Sequence, residues 1–205
     1  MRRLFLIAAF AAACVAPAEA QSWSDLFKDA LRSLTGGSSS EPAAATAAPE
    51  PPSEKELLGT WSYQAPAMEY TGDDMLASLA TSTLKGQLPA YYQQAGLQPG
   101  KATVAFTRRG VFKAALADRK IEGVYRYDED TGELTVECLF AGNPVSFTGR
   151  AKCVGGVLTL LFEANAALAS LRASSQQYAQ NQKLQQIAAI LAHYPGVMLG
   201  AELTR

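Results

Sequence analysis

Histidine occurs once in this chain, at position 193, and that fact narrows the chemistry at once. A general base or a metal ligand needs company, such as an acidic orienter, a thiolate or a second imidazole. The neighbours Leu191, Ala192, Tyr194 and Pro195 supply none of these. The spacing instead puts His193, partly exposed, in the last turn of a helix, where the helix dipole favours its cation. Asp128-Glu129-Asp130 has the acidic density of a calcium loop. It lacks that loop's long ligand alternation and runs straight into Gly132, so it reads as a solvated hairpin turn. Arg108-Arg109, just before Gly110, reads in the same way. No Gly-x-Ser-x-Gly, His-Glu-x-x-His, phosphate-loop or dinucleotide-binding pattern occurs. The residues therefore predict no catalytic group, no metal and no cofactor.

Cysteines come next. Cys14 lies within a short apolar run that follows Met1-Arg2-Arg3 and ends before Ala18-Glu19-Ala20. A basic start, an apolar core and an Ala-x-Ala site make a secretory signal peptide over residues 1–20, with cleavage expected after Ala20. Read instead as a lipobox, Ala11-Ala12-Ala13-Cys14 would give a lipoprotein. Ala11 is a poor match there, and the later site is the favoured one. The expected location is beyond the inner membrane, in the periplasm or at the cell surface. Cys138 and Cys153 would then sit in an oxidising compartment. They fall on neighbouring strands and share the apolar face. A simple hairpin register sets Cys138 nearer Thr148, so a bridge needs a bulge or a register shift. A disulfide and two buried thiols both remain open.

These groups must be positioned by the rest of the chain. Residues 21–36 hold an amphipathic helix with Trp23, Leu26, Phe27, Leu31 and Leu34 on its apolar stripe, opposite Asp25, Lys28, Asp29 and Arg32. So short a helix is marginal alone, and the stripe is expected to dock on its own domain or on a protein partner. Residues 37–53, rich in Ala, Pro, Ser and Thr, read as a disordered linker. The domain proper is expected over 54–205. Its net charge is close to zero with signs interspersed, which leaves no footprint for nucleic acid. No window of the mature chain approaches the length of a membrane-spanning helix.

Thr60–Ala65 reads as a strand broken by Pro66, with Ala67–Thr71 resuming it. A helix follows from about Met75 to Gln94, kinked or split at Gly86 and Pro89. From 102 to 163 six segments alternate apolar and polar, with turn residues between them: an antiparallel meander. Phe106, Phe112, Tyr125, Tyr127, Phe140, Phe147 and Phe162 share its apolar face. Two helices follow, the first from Asn165 and the second ending at Pro195-Gly196. Val197, Leu199, Ala201 and Leu203 then alternate in a last strand that can close on the first. The fold class is thus mainly β with helical additions: an antiparallel up-and-down barrel of about eight strands. The helical insertions are expected to cover its two ends.

Three stretches carry a resemblance. Leu57-Leu58-Gly59-Thr60-Trp61-Ser62-Tyr63-Gln64-Ala65-Pro66-Ala67 opens the meander with a Gly-x-Trp. Gly96-Leu97-Gln98-Pro99-Gly100 and Tyr194-Pro195-Gly196-Val197-Met198-Leu199-Gly200 follow. Together they resemble the secreted, lipocalin-like DUF4923 family of Bacteroidales. The resemblance implies a lipocalin-like barrel closed at one end by Gly59 and Trp61. It brings no established activity, so no functional residues carry over. The barrel interior, lined by the seven rings named above, is the one place for a site. It is either a filled core or a pocket for a small apolar or amphipathic ligand, with Gly123, Gly149 and Ala151 leaving room. The corresponding functions are non-catalytic ligand binding and a structural or interaction module of the cell envelope.

Overall fold

The computed structural model describes residues 50–205 apart from 75–77, 79–80, 82–84, 87, 95–96, 117–118, 141, 175–178 and 181. Eight antiparallel strands form a closed barrel in sequence order. They are β1 (Gly59–Tyr70), β2 (Ala102–Phe106), β3 (Val111–Leu116), β4 (Arg119–Tyr127), β5 (Glu133–Phe140), β6 (Asn143–Val154), β7 (Val157–Glu163) and β8 (Val197–Thr204). Among the described residues, helices α1 (Glu54–Leu57), α2 (Leu88–Gln94), α3 (Ala164–Ser174) and α4 (Gln182–Ala192) accompany them. The expected signal peptide over 1–20, the amphipathic helix over 21–36 and most of the linker lie outside the described residues. So does much of the first half of the stretch expected to be helical from Met75 to Gln94, whose second half forms the helix Leu88–Gln94.

The apolar alternation sets which face points inward, and the register follows it. Phe106 lies opposite Phe112, Tyr125 opposite Val136, and Val136 opposite Phe147. The first strand differs from its expected form. It runs unbroken through Pro66, which pairs with Ala201, and the irregularity falls earlier, between Tyr63 and Ala65. The extra residue there is Gln64, exposed, its amide donating to the Thr204 hydroxyl. A bulge shifts the inward phase by one residue, so Trp61 and Tyr63 face the core before it and Met68 and Tyr70 after it. Pro66 is tolerated because β2 pairs with β1 only from Gly59 to Ser62; beyond that, β1 has a single strand neighbour.

Strand parity fixes the ends. In an up-and-down barrel all odd-to-even connections share one end, here called the rim, and all even-to-odd connections share the base. The inserts after β1 and after β7 are both odd-to-even. The helical insertions therefore gather at one end, rather than covering two as the sequence reading expected. The base has only short turns. One is Gly155-Gly156, both with positive φ as a tight two-residue hairpin requires. The chain before β1 covers this end. Ser53 and Glu56 form a capping box on α1, and Leu57 is fully buried. Residues 50–52, read as the end of the linker, lie against the barrel. Cys153 N donates to Glu50 O, and the Tyr127 hydroxyl donates to the carbonyl of the buried Pro52.

Near the rim, helices replace strands in the wall. β7 pairs with β6 only from Gly149 onward, and α3 takes its place beside the rest of β6, with Ser170 Oγ donating to Ser146 O. Where β1 has left β2, Gly100 N donates to Tyr63 O. Tyr92 of α2 stacks on Tyr63 and donates to Gly200 O. Ala164, Ala167 and Leu168 of α3, Leu191 of α4 and Leu88 and Tyr92 of α2 join the same core as the strands. A small second cluster, Ala67, Leu161 and Met198, is buried on the outer face of β1, β7 and β8. Lys152 of β6 and Glu69 of β1 form an ion pair across that face.

Both described cysteines are free. Cys138 lies opposite Val145 and Cys153 opposite Leu158, so eight residues of β6 separate the two positions. At about 3.3 Å per residue this is roughly 26 Å, far outside disulfide reach.

Candidate functional site

The base of the barrel is a plug. Gly59 holds a φ of 119°, a conformation that L side chains rarely adopt, and it turns the chain from α1 into β1. Trp61 is then buried, its indole N–H donating to Leu57 O at 2.9 Å. The guanidinium of Arg205 lies over the Trp61 ring, 4.6 Å from its centroid. It also donates to the carbonyls of Glu56 at 2.6 Å and Leu58 at 3.1 Å. One cation thus binds together the start of the barrel, the indole and the last residue of the chain. The sequence reading placed Trp61 here and missed Arg205, because nothing local marks a terminal arginine as the partner of a residue so far upstream.

Of the seven rings assigned to the inner face, Phe106, Phe112, Tyr125 and Phe147 are buried in the core. Tyr127 and Phe162 are partly buried against it. Phe140 belongs to β5, and its side chain lies outside the described residues. Phe106 and Tyr125 meet edge to face with centroids 5.0 Å apart. The tyrosine hydroxyls of this half face the base and are engaged: Tyr125 donates to Thr107 O, Tyr127 to Pro52 O. Burial, with Glu54 nearby, raises the Tyr125 pKa. Burial, reinforced by Glu129, Asp128 and Glu56, pushes Tyr127 up to about 12. These phenols are neutral structural donors at ordinary pH.

Small inward residues do not open the space expected of them. A Cβ on Gly123 would lie 2.4 Å from Phe112 Cε1, and one on Gly149 2.6 Å from Phe162 Cδ1. Rings already occupy the room those glycines leave. Ala151 is buried. The inner surface is nevertheless uneven. At the base Leu57, Leu134 and Leu158 are 0% exposed and Leu203 is 1% exposed. Towards the rim, Ile121, Gly123 and Cys138 are each only partly buried, and Gly123 and Cys138 are cross-strand partners. Burial raises the Cys138 thiol pKa. These partly exposed inner residues are apolar and lie on upper β4 and β5.

A family model for a lipocalin-like domain, DUF4923, matches residues 31–205. The chain belongs to this lipocalin-like family. The DUF4923 match includes the whole barrel and begins inside the segment read as an amphipathic helix. No curated protein and no solved structure registers as similar.

The remaining polar candidates of this DUF4923 chain stay apart from the barrel interior. His193 is exposed beyond the end of α4. Arg108 and Arg109 are exposed in the turn between β2 and β3. Asp128 accepts from the backbone N–H groups of Asp130 and Thr131, the self-closing geometry of a turn. Among the described residues no group of three His, Cys, Asp or Glu side chains could hold a metal ion. Arg172 is a polar group near the rim that no local sequence pattern marks. It lies one turn beyond the buried Leu168 on α3, and its Nε is buried without a hydrogen-bond partner.

Proposed function

We propose that this protein is a non-catalytic binding protein, exported across the inner membrane, that takes up a small apolar or amphipathic molecule through the rim of its barrel. One observation carries this reading. Leu57, Leu134 and Leu158 are fully buried at the base, whereas Ile121, Gly123 and Cys138, apolar residues on the inner face of upper β4 and β5, are partly exposed. Hydrophobic burial alone would drive association, at roughly 25 cal/mol per Å² of apolar surface covered, before the costs of ordering.

A second reading has its own support. The rings of Phe112 and Phe162 fill the space beside Gly123 and Gly149, as in a barrel whose core is complete. Such a barrel would serve as a structural or interaction module of the envelope, docked through Trp23, Leu26, Phe27, Leu31 and Leu34. An environment-sensitive lipophilic dye, titrated into the protein beginning at Gln21, separates the two. Saturable binding near one site per chain, weakened by a larger side chain at Cys138, is the expected result. Absence of binding by folded protein would sink the ligand reading and favour the module. N-terminal sequencing of the exported product tests the export signal, with Gln21 as the expected first residue.

A further inference from the structure

The described residues contain a single buried side-chain nitrogen or oxygen without a hydrogen-bond partner, and it is Nε of Arg172. Buried donors are almost always paired, and a guanidinium keeps its charge in any protein environment. An orphaned one invites a ligand. Its position gives that ligand a shape. Ala164, Leu168 and Arg172 succeed one another at four-residue spacing on α3, and the first two are buried in the barrel core. The helix climbs the free edge of β6 towards the rim, with Ser170 already level with Ser146. Arg172 is farther along by two residues, about 3 Å at helical rise. It therefore stands where the apolar lining ends. Two turns earlier on the same helix, Asn165 donates to Leu191 O and ties α3 to α4, and residues of both helices share that core.

We infer that Arg172 is the headgroup anchor of the ligand site, and that the ligand is an amphipathic anion: an alkyl chain bearing one carboxylate. The chain lies in the apolar interior. The carboxylate accepts from Nε and the neighbouring Nη, the edge of a guanidinium that pairs side by side with two oxygens. Arg172 itself is only partly buried, so a headgroup can reach this edge from the rim. The inference rests on the ligand-binding reading above and narrows it.

The test uses the folded protein beginning at Gln21, with hexadecanoate and hexadecanol as matched probes displacing a lipophilic dye, on the native chain and on Arg172→Gln and Arg172→Lys. The native protein is expected to bind the carboxylate at least about tenfold more tightly than the alcohol, the scale of a hydrogen bond to a charged group. Arg172→Gln should bring the carboxylate down to the level of the alcohol and leave the alcohol unchanged. Arg172→Lys should retain part of the preference. Equal binding of both probes by native protein, or a preference that survives Arg172→Gln, would overturn the anchor and leave the pocket standing. Binding of neither probe would overturn the pocket and the anchor together. Should Arg172→Gln fail to fold, the carboxylate-to-alcohol ratio of the native and Arg172→Lys proteins decides.

Discussion

At the residue scale, the strongest constraints lie at the base. Trp61 joins α1, β1 and the C-terminus through its N–H bond to Leu57 O and the Arg205 guanidinium over its ring. Trp61→Ala is expected to cost about 3–5 kcal/mol in urea unfolding, the range for truncating a buried aromatic side chain. Arg205→Ala should cost about 1–2 kcal/mol, mostly through its two charge-assisted bonds. The two residues touch, so the double variant should lose less than the sum of the single losses. A second prediction concerns pH. Tyr127 has its pKa pushed up to about 12 by burial first and by acidic neighbours second. The neutral phenol is therefore favoured in the folded state. Its contribution is fully present below the unfolded value near 10 and is lost as pH rises through about 12. Chemical denaturation at increasing alkalinity should show stability falling across that window, with a shallower fall in Tyr127→Phe.

Elements show why local patterns were enough for most of the sheet. Alternation from Val104 to Phe162 identified six strands and their inward faces, because one buried face forces a period of two. It failed at Pro66, where the ladder permits a proline only because β2 has already departed. That circumstance is tertiary. The glycines make a similar point. In the sequence Gly123 and Gly149 looked like vacancies, and neighbouring rings fill them; Gly200 of β8 is a close approach of backbone, where an added Cβ would meet Leu160 O at 1.7 Å and Leu161 Cα at 3.0 Å. Gly200→Ala is expected to destabilise the barrel by at least about 1–3 kcal/mol, the cost of overpacking, because backbone cannot yield as a side-chain tip can. Gly142 has open space around its Cβ direction but a φ of 84°. Alanine there should cost only local strain, about 1 kcal/mol. Thermal unfolding of the two variants side by side checks the contrast.

For the whole molecule, the question is where the barrel domain begins. Glu50 and Pro52 hold Cys153 and Tyr127 through backbone carbonyls, and Pro51 packs beside Gly132. A chain starting at Glu50 should keep a cooperative unfolding transition. Removing three further residues should lower its midpoint, since two acceptors and the cover on Pro52's side of the core leave together. Circular dichroism during denaturation distinguishes this from a domain that begins only at α1.

Sequence by itself determined the strand count, the inward faces, the plug at Trp61 and the closure of β8 on β1, because each follows from side-chain periodicity or from a turn that only glycine or proline can make. It also held, unread, the placement of both helical insertions at one end, which follows from counting strands. Tertiary structure alone decided the partner of Trp61, the bulge at Gln64, the separation of Cys138 from Cys153 and the filling of the glycine spaces by neighbouring rings. The orphaned Nε of Arg172 belongs with these. Each depends on how far apart two distant pieces of chain come to rest, and that distance is set by barrel closure and register rather than by any local preference.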